Sequence, residues 1–145
     1  MTYRFEPMSD DHARAVAAWH YDPPFDFYDW EADPDDLAEL LDPDRRKDSY
    51  FAVLDDHESL VGFFACHREG EAVDVGLGLR PDLTGRGLGL PFVLAGLAFA
   101  CDRHAPFQSF QLAVAACNER AIRVYERAGF RQVGEVYLHR TNGGE

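Results

Sequence analysis

The chain has 145 residues, a formal net charge of -12, 46% hydrophobic residues and 13% aromatic ones. That length supports one domain with a substantial core, and that hydrophobic share excludes a disordered chain. So negative a chain repels nucleic-acid phosphates and would attract cationic or amine substrates, although the commoner meaning of such a charge is solubility.

Tyr3-Arg4-Phe5 alternates like a short strand, and Ser9 or Asp10 then caps a helix running to Trp19, with Ala13, Val16, Ala17 and Trp19 as its apolar stripe. His20 to Glu31 reads as a loop dense in aromatics and acids. Asp33-Pro34 opens a second helix, with Leu37, Leu40 and Leu41 on its inner face. Arg45, Arg46 and Lys47 read as a solvated turn.

Tyr50 to Leu54 and Leu60 to Arg68 are strands around a polar turn, and Glu69-Gly70 turns into a third strand from Ala72 to Leu79. A helix that is apolar nearly all round then runs to His104 and is expected to lie deep against the sheet. Gln108 to Ala115 is a strand, and Glu119 to Ala128 a helix closed by Gly129. Phe130 onward returns as a strand, and so does Val136 to Thr141. Asn142-Gly143 is a strong hairpin signal with no return strand after it.

This order of elements predicts an α/β fold with a mixed sheet and helices on both faces. Cys66, Cys101 and Cys117 lack metal-type spacing and sit in apolar stretches, so they read as small buried hydrophobes of a reducing cytoplasm. No metal is called for. No leader is apparent at the N-terminus, and the run from Leu88 to Cys101 is too short to span a bilayer.

Two motifs carry the chemistry. The first is Leu79-Arg80-Pro81-Asp82-Leu83-Thr84-Gly85-Arg86-Gly87-Leu88-Gly89, a strand end passing through a glycine-rich turn into a helix. Glycines there allow a tight bend and a close ligand, and the helix start presents amides and a positive dipole end to a diphosphate. Arg86 adds a forked cation. A dinucleotide fingerprint would need a third glycine where Leu90 stands, and a phosphate-binding loop of the Gly-Lys-Ser/Thr type is absent. The second is Ala115 to Phe130, in which Asn118 begins a helix and Tyr125 follows two turns later on the same face. Capping and core packing are the ordinary roles for those two residues.

Together these motifs resemble the GNAT superfamily of N-acetyltransferases. The hexapeptide matches its Q/R-x-x-G-x-G/A pattern at Gly87 and Gly89, with Thr84 where Gln or Arg is usual. The Asn-x-x-Ala-x-x-x-Tyr-x-x-x-Gly-Phe run resembles the second half of the family's acetyl-CoA site. The resemblance implies one GNAT domain over 1–145, with a mostly antiparallel twisted sheet whose last strand is missing or supplied by a partner chain, so that a homodimer is one outcome. Leu77, Gly78 and Leu79 would pair with the pantetheine arm like an added strand. Gly85, Arg86, Gly87, Leu88 and Gly89 would hold the pyrophosphate, with a weaker or hydroxyl contact from Thr84, and Asn118 would touch the cofactor.

The expected reaction is acetyl transfer from acetyl-CoA to an amine by direct attack. An amide near Leu79 would stabilise the developing oxyanion, and Tyr125 would give the leaving thiolate a proton or hydrogen bond. Asp74, Glu71 and His67 are the candidate bases, Asp74 first. Tyr21 to Trp30 would form the acceptor pocket, with Asp26 and Tyr28 as the residues most suited to bind an amine. The acceptor is a small-molecule or peptide amine that the sequence does not identify. A non-catalytic acyl-CoA-binding module on the same fold is the alternative.

Overall fold

The computed structural model describes residues 2–133 and 136–140, the last five through their backbone alone. The Asn142-Gly143 hairpin signal lies outside the described residues. Contacts divide the chain into two units. One comprises Met1–Ala65 with Gly78–Thr84, the other Cys66–Leu77 with Gly85–Glu145.

In the first unit, β1 (Arg4–Pro7), β2 (Tyr50–Leu54) and β3 (Leu60–Glu69) pair antiparallel, with Phe5 opposite Val53 and Phe51 opposite Phe64. The helix α1 (Asp10–Ala17) starts at a reciprocal cap. Ser9 Oγ accepts from the His12 amide at 3.1 Å, and His12 Nδ1 accepts from the Ser9 amide at 3.3 Å. Asp33 caps α2 (Pro34–Leu41) by accepting from the amides of Asp35 and Asp36, with Pro34 preset for the first turn. Met8, Ala13, Val16 and Leu40 form the buried cluster, flanked by Trp19, Trp30, Tyr50 and Phe63.

Two expectations fail in this unit. Leu41 is 44% exposed, because it ends its helix one step round from buried Leu40. Arg46 is not solvated. It ends α3 (Pro43–Arg46), is buried, and donates to the carbonyls of Met8 and Leu40 as well as to Asp10. The Leu40 carbonyl belongs to the last turn of α2, where no amide of the helix can reach it. A guanidinium folded back from the next turn satisfies it instead.

In the second unit, β4 (Ala72–Leu79) pairs parallel with β5 (Ser109–Leu112), with Val73 opposite Phe110. Beyond β5 come β7 (Val136–Arg140) and β6 (Arg131–Val133), each antiparallel to its neighbour. The pairings described are thus mixed and mostly antiparallel, as expected. β3 begins in the first unit and ends in the second, and β4 does the reverse.

The helix α4 (Gly89–His104) buries Phe92, Val93, Gly96, Leu97 and Ala100. That is one stripe at helical spacing rather than the whole circumference, and Leu94 stays 47% exposed. α5 (Glu119–Ala128) ends at Gly129 in the left-handed region (φ 112°), where the Phe130 amide donates to the Tyr125 carbonyl at 2.9 Å. β5 stops at Leu112 rather than Ala115, since an Ala115–Asn118 turn already leads the chain into α5. Cys66 is buried, as expected, and burial raises its thiol to about 11. Cys117 lies in that turn and is exposed, contrary to expectation.

Candidate active site

The glycine-rich turn is built to leave main-chain donors open. Gly85 and Gly87 adopt φ of 75° and 77°, which a side chain would strain, and residues 85–87 are exposed. Leu88 precedes α4 with no side-chain cap. Among the described residues, the amides of Gly85, Arg86, Gly87 and Leu88 donate to no protein acceptor. Four successive open donors at the start of a sixteen-residue helix, with the positive dipole end behind them, suit phosphate oxygens.

A second helix supports that surface. A Cβ placed on Gly89 would stand 3.2 Å from Val124 Cγ2, so a glycine is what lets the start of α4 approach α5 this closely. A Cβ on Gly85 would stand 3.0 Å from Arg120 Nη1. The Arg120 guanidinium therefore lies over the turn, a placement sequence reading did not supply. Its signal was a basic residue in the first turn of a helix, where the dipole disfavours it.

Asn118 does cap α5, its Oδ1 accepting from the Ala121 amide at 3.2 Å. Tyr125 is half-buried and packs edge-on against Phe130, with ring centroids 5.9 Å apart. These two share a helix with Arg120. Asp74 is half-buried on β4 and accepts from Gln111 Nε2 at 3.3 Å on the parallel neighbour. Glu71 accepts from Gln108 at 3.4 Å, and exposed His67 lies 4.0 Å from Glu69.

In the first unit, the segment between α1 and α2 is not a plain loop but two short 3-10 turns, Phe25–Tyr28 and Trp30–Ala32. Asp26 and Tyr28 lie on the exposed side of the first turn, and the Phe27 and Tyr28 rings stand 4.2 Å apart. Tyr21, in the same segment, donates its hydroxyl to the Leu79 carbonyl at 2.9 Å. Burial, then the charge of Asp29, pushes that phenol up to about 12, so it remains a donor throughout the neutral range. The Thr84 hydroxyl, expected to contact phosphate, donates to the Pro81 carbonyl at 2.7 Å.

Asp29 sits at the junction of the two 3-10 turns. Its Oδ1 accepts from the Tyr21 amide at 2.7 Å and its Oδ2 faces His20 Nδ1 at 2.9 Å. Glu31 reaches the same ring nitrogen at 3.6 Å. The Tyr21 amide, then His20, hold the Asp29 carboxyl below its usual range. The Asp29 hydrogen bond in turn raises His20 above its ordinary value.

A family model described as Acetyltransferase (GNAT) domain matches residues 3–131. A curated relative, the mycothiol acetyltransferase of Actinosynnema mirum, is 33% identical over 142 residues. That alignment covers 87% of this chain, which spans only 42% of the relative's length. Among solved structures, a spermidine N-acetyltransferase chimera from Vibrio cholerae superposes with TM-score 0.74 at 16% identity, covering 97% of this chain and 93% of that one. The aminoglycoside acetyltransferase AAC(6')-Ib, solved with ribostamycin and coenzyme A, superposes with TM-score 0.75 at 15% identity, covering 97% and 94%. At such identities these two structures speak for the fold. Among the described residues no helix is long and apolar enough to cross a membrane.

Proposed function

The chain belongs to the GNAT acetyltransferase domain family, and on that premise we propose that it transfers an acetyl group from acetyl-CoA to an amine by direct attack. The observation that carries this reading is the run of open amides from Gly85 to Leu88 at the uncapped start of α4, with the Arg120 guanidinium over it. A diphosphate satisfies those donors, and the positive charges of Arg86 and Arg120 favour it. Coenzyme A supplies that diphosphate together with the thioester that delivers the acyl group.

In this reading, main-chain groups of Leu77, Gly78 and Leu79 pair with the pantetheine arm, and Asn118 contacts it. An amide near Leu79 stabilises the oxyanion, and Tyr125 donates its phenolic hydrogen to the leaving sulfur. Asp26 and Tyr28 belong to the acceptor side, where an acidic, aromatic segment suits a cationic amine. The named relatives act on spermidine and aminoglycosides or carry the mycothiol acetyltransferase name, so polyamines and amino sugars head the acceptor candidates.

Calorimetric titration with acetyl-CoA, followed by thiol-release assays with spermidine, kanamycin and phenethylamine, tests the proposal. Tyr125→Phe is expected to bind acetyl-CoA normally and to lose turnover by about 100-fold or more. Tight binding with no thiol release from any amine would favour the non-catalytic acyl-CoA module.

A further inference from the structure

The acetyltransferase reading leaves open which group takes the proton from an incoming ammonium. Asp74 already accepts a hydrogen bond from Gln111, and Glu71 one from Gln108. A better-built pair stands at the head of the acceptor segment. His20 is 58% exposed, while its partner Asp29 is only 13% exposed and is anchored from behind by the Tyr21 amide. His20, Asp29 and Glu31 bring one ring nitrogen and two carboxylate oxygens within 4.8 Å of one another. The adjoining Tyr21 hydroxyl is bonded to the carbonyl of Leu79, the end of the strand that the cofactor's arm is proposed to follow.

We propose that His20 is the general base of the transfer, with Asp29 as its positioning residue. This rests on the acetyltransferase reading above. Asp29 accepts from Nδ1–H and so leaves the lone pair on Nε2. Nε2 takes one proton from the ammonium, whose freed lone pair forms the C–N bond to the thioester carbonyl carbon. The C–S bond then breaks. The departing thiolate gains the Tyr125 proton, the second proton shed by nitrogen restores the phenol, and imidazolium returns the first to water. Asp29 and Glu31 draw the cationic acceptor toward the ring, and they are the charged groups facing it. The Asp29 hydrogen bond raises the His20 value above its ordinary one, which makes the ring a stronger base.

The experiment is kcat/KM against pH for the full chain, using acetyl-CoA with whichever of spermidine, kanamycin or phenethylamine turns over best. Wild type is expected to show an acidic limb centred above the ordinary histidine value of about 6.5. His20→Gln is expected to lose that limb and to fall about 100-fold at neutral pH, with unchanged acetyl-CoA affinity. Asp29→Asn is expected to move the limb to lower pH. A His20→Gln enzyme that keeps both the limb and the rate overturns the assignment while leaving the acetyltransferase standing. A limb that vanishes in Asp74→Asn instead also overturns it. If wild type binds acetyl-CoA yet acetylates none of the amines, both readings fall together.

Discussion

Arg120 and Gly85 are fitted to each other: the guanidinium occupies the space a side chain at position 85 would need, with Nη1 3.0 Å from the Cβ site. An open turn and a cation are thereby held together by packing within one unit. Arg120→Gln is expected to weaken acetyl-CoA binding by about 10- to 100-fold, since a hydrogen bond to a charged group is worth about 1.5–3 kcal/mol. Gly85→Ala pushes on the same guanidinium and should weaken binding too. In the Arg120→Gln background that second loss should shrink, because the two substitutions act on one contact. Calorimetry on the four proteins of this cycle reads the result, and fully additive losses would show the contact to be irrelevant to the ligand.

Gly87 differs from Gly85. Its φ of 77° strains any side chain, yet a Cβ there meets nothing within 4 Å. Gly87→Val should therefore fold, losing about 1–3 kcal/mol of stability to backbone strain. Its Tm should drop by about 3–10 °C. In the proposed site the branched side chain would enter the space of the phosphate oxygens, so acetyl-CoA affinity should fall far more than stability does. A folded Gly87→Val that binds acetyl-CoA as wild type does would remove the turn from the site.

The two motifs were legible because each depends on local backbone rules. Glycines at 85, 87 and 89 announce a turn that needs positive φ and close approach, and Asn118 with Gly129 brackets a helix whose ends the structure places as expected. What stayed hidden depends on contacts between segments distant in sequence. Arg46 looked solvated, because nothing local reveals that it caps the last turn of α2 and reaches Met8. The His20–Asp29 pair was hidden in the same way, since it requires the intervening segment to coil into 3-10 turns. Leu41 and Leu94 show the reverse error. A hydrophobic residue in a helix is expected to be buried, but burial is set by which face finds a partner.

Arg46 yields a stability prediction. Arg46→Met keeps the apolar stem but leaves the carbonyls of Met8 and Leu40 without a donor and Asp10 without its cation. Each buried carbonyl left unsatisfied costs about 1–3 kcal/mol, so a loss of about 2–6 kcal/mol is expected. Arg46→Lys should recover only part of it, because an ammonium cannot serve acceptors spread across a planar fork. Urea denaturation should show a lower midpoint with an unchanged slope, and a wild-type midpoint in Arg46→Met would contradict the assignment.

Tyr21 predicts how stability responds to alkali. Its phenol ionises at an ordinary value of 10.0 in the unfolded chain and at about 12 when folded, because burial and then the charge of Asp29 oppose the phenolate. A folded value above the unfolded one contributes stability that is complete below pH 10 and is lost as pH rises through about 12. Wild type should therefore lose about 2 kcal/mol more than Tyr21→Phe over that interval. At neutral pH the order reverses in origin: Tyr21→Phe is weaker by about 1 kcal/mol, through the missing bond to the Leu79 carbonyl. Other tyrosines contribute equally to both proteins and cancel in the comparison. Urea midpoints measured at several pH values from neutral to strongly alkaline give the two curves directly. The curves are expected to converge above pH 10 and then cross, and parallel ones would mean that the Tyr21 hydroxyl is not held in the buried bond to the Leu79 carbonyl.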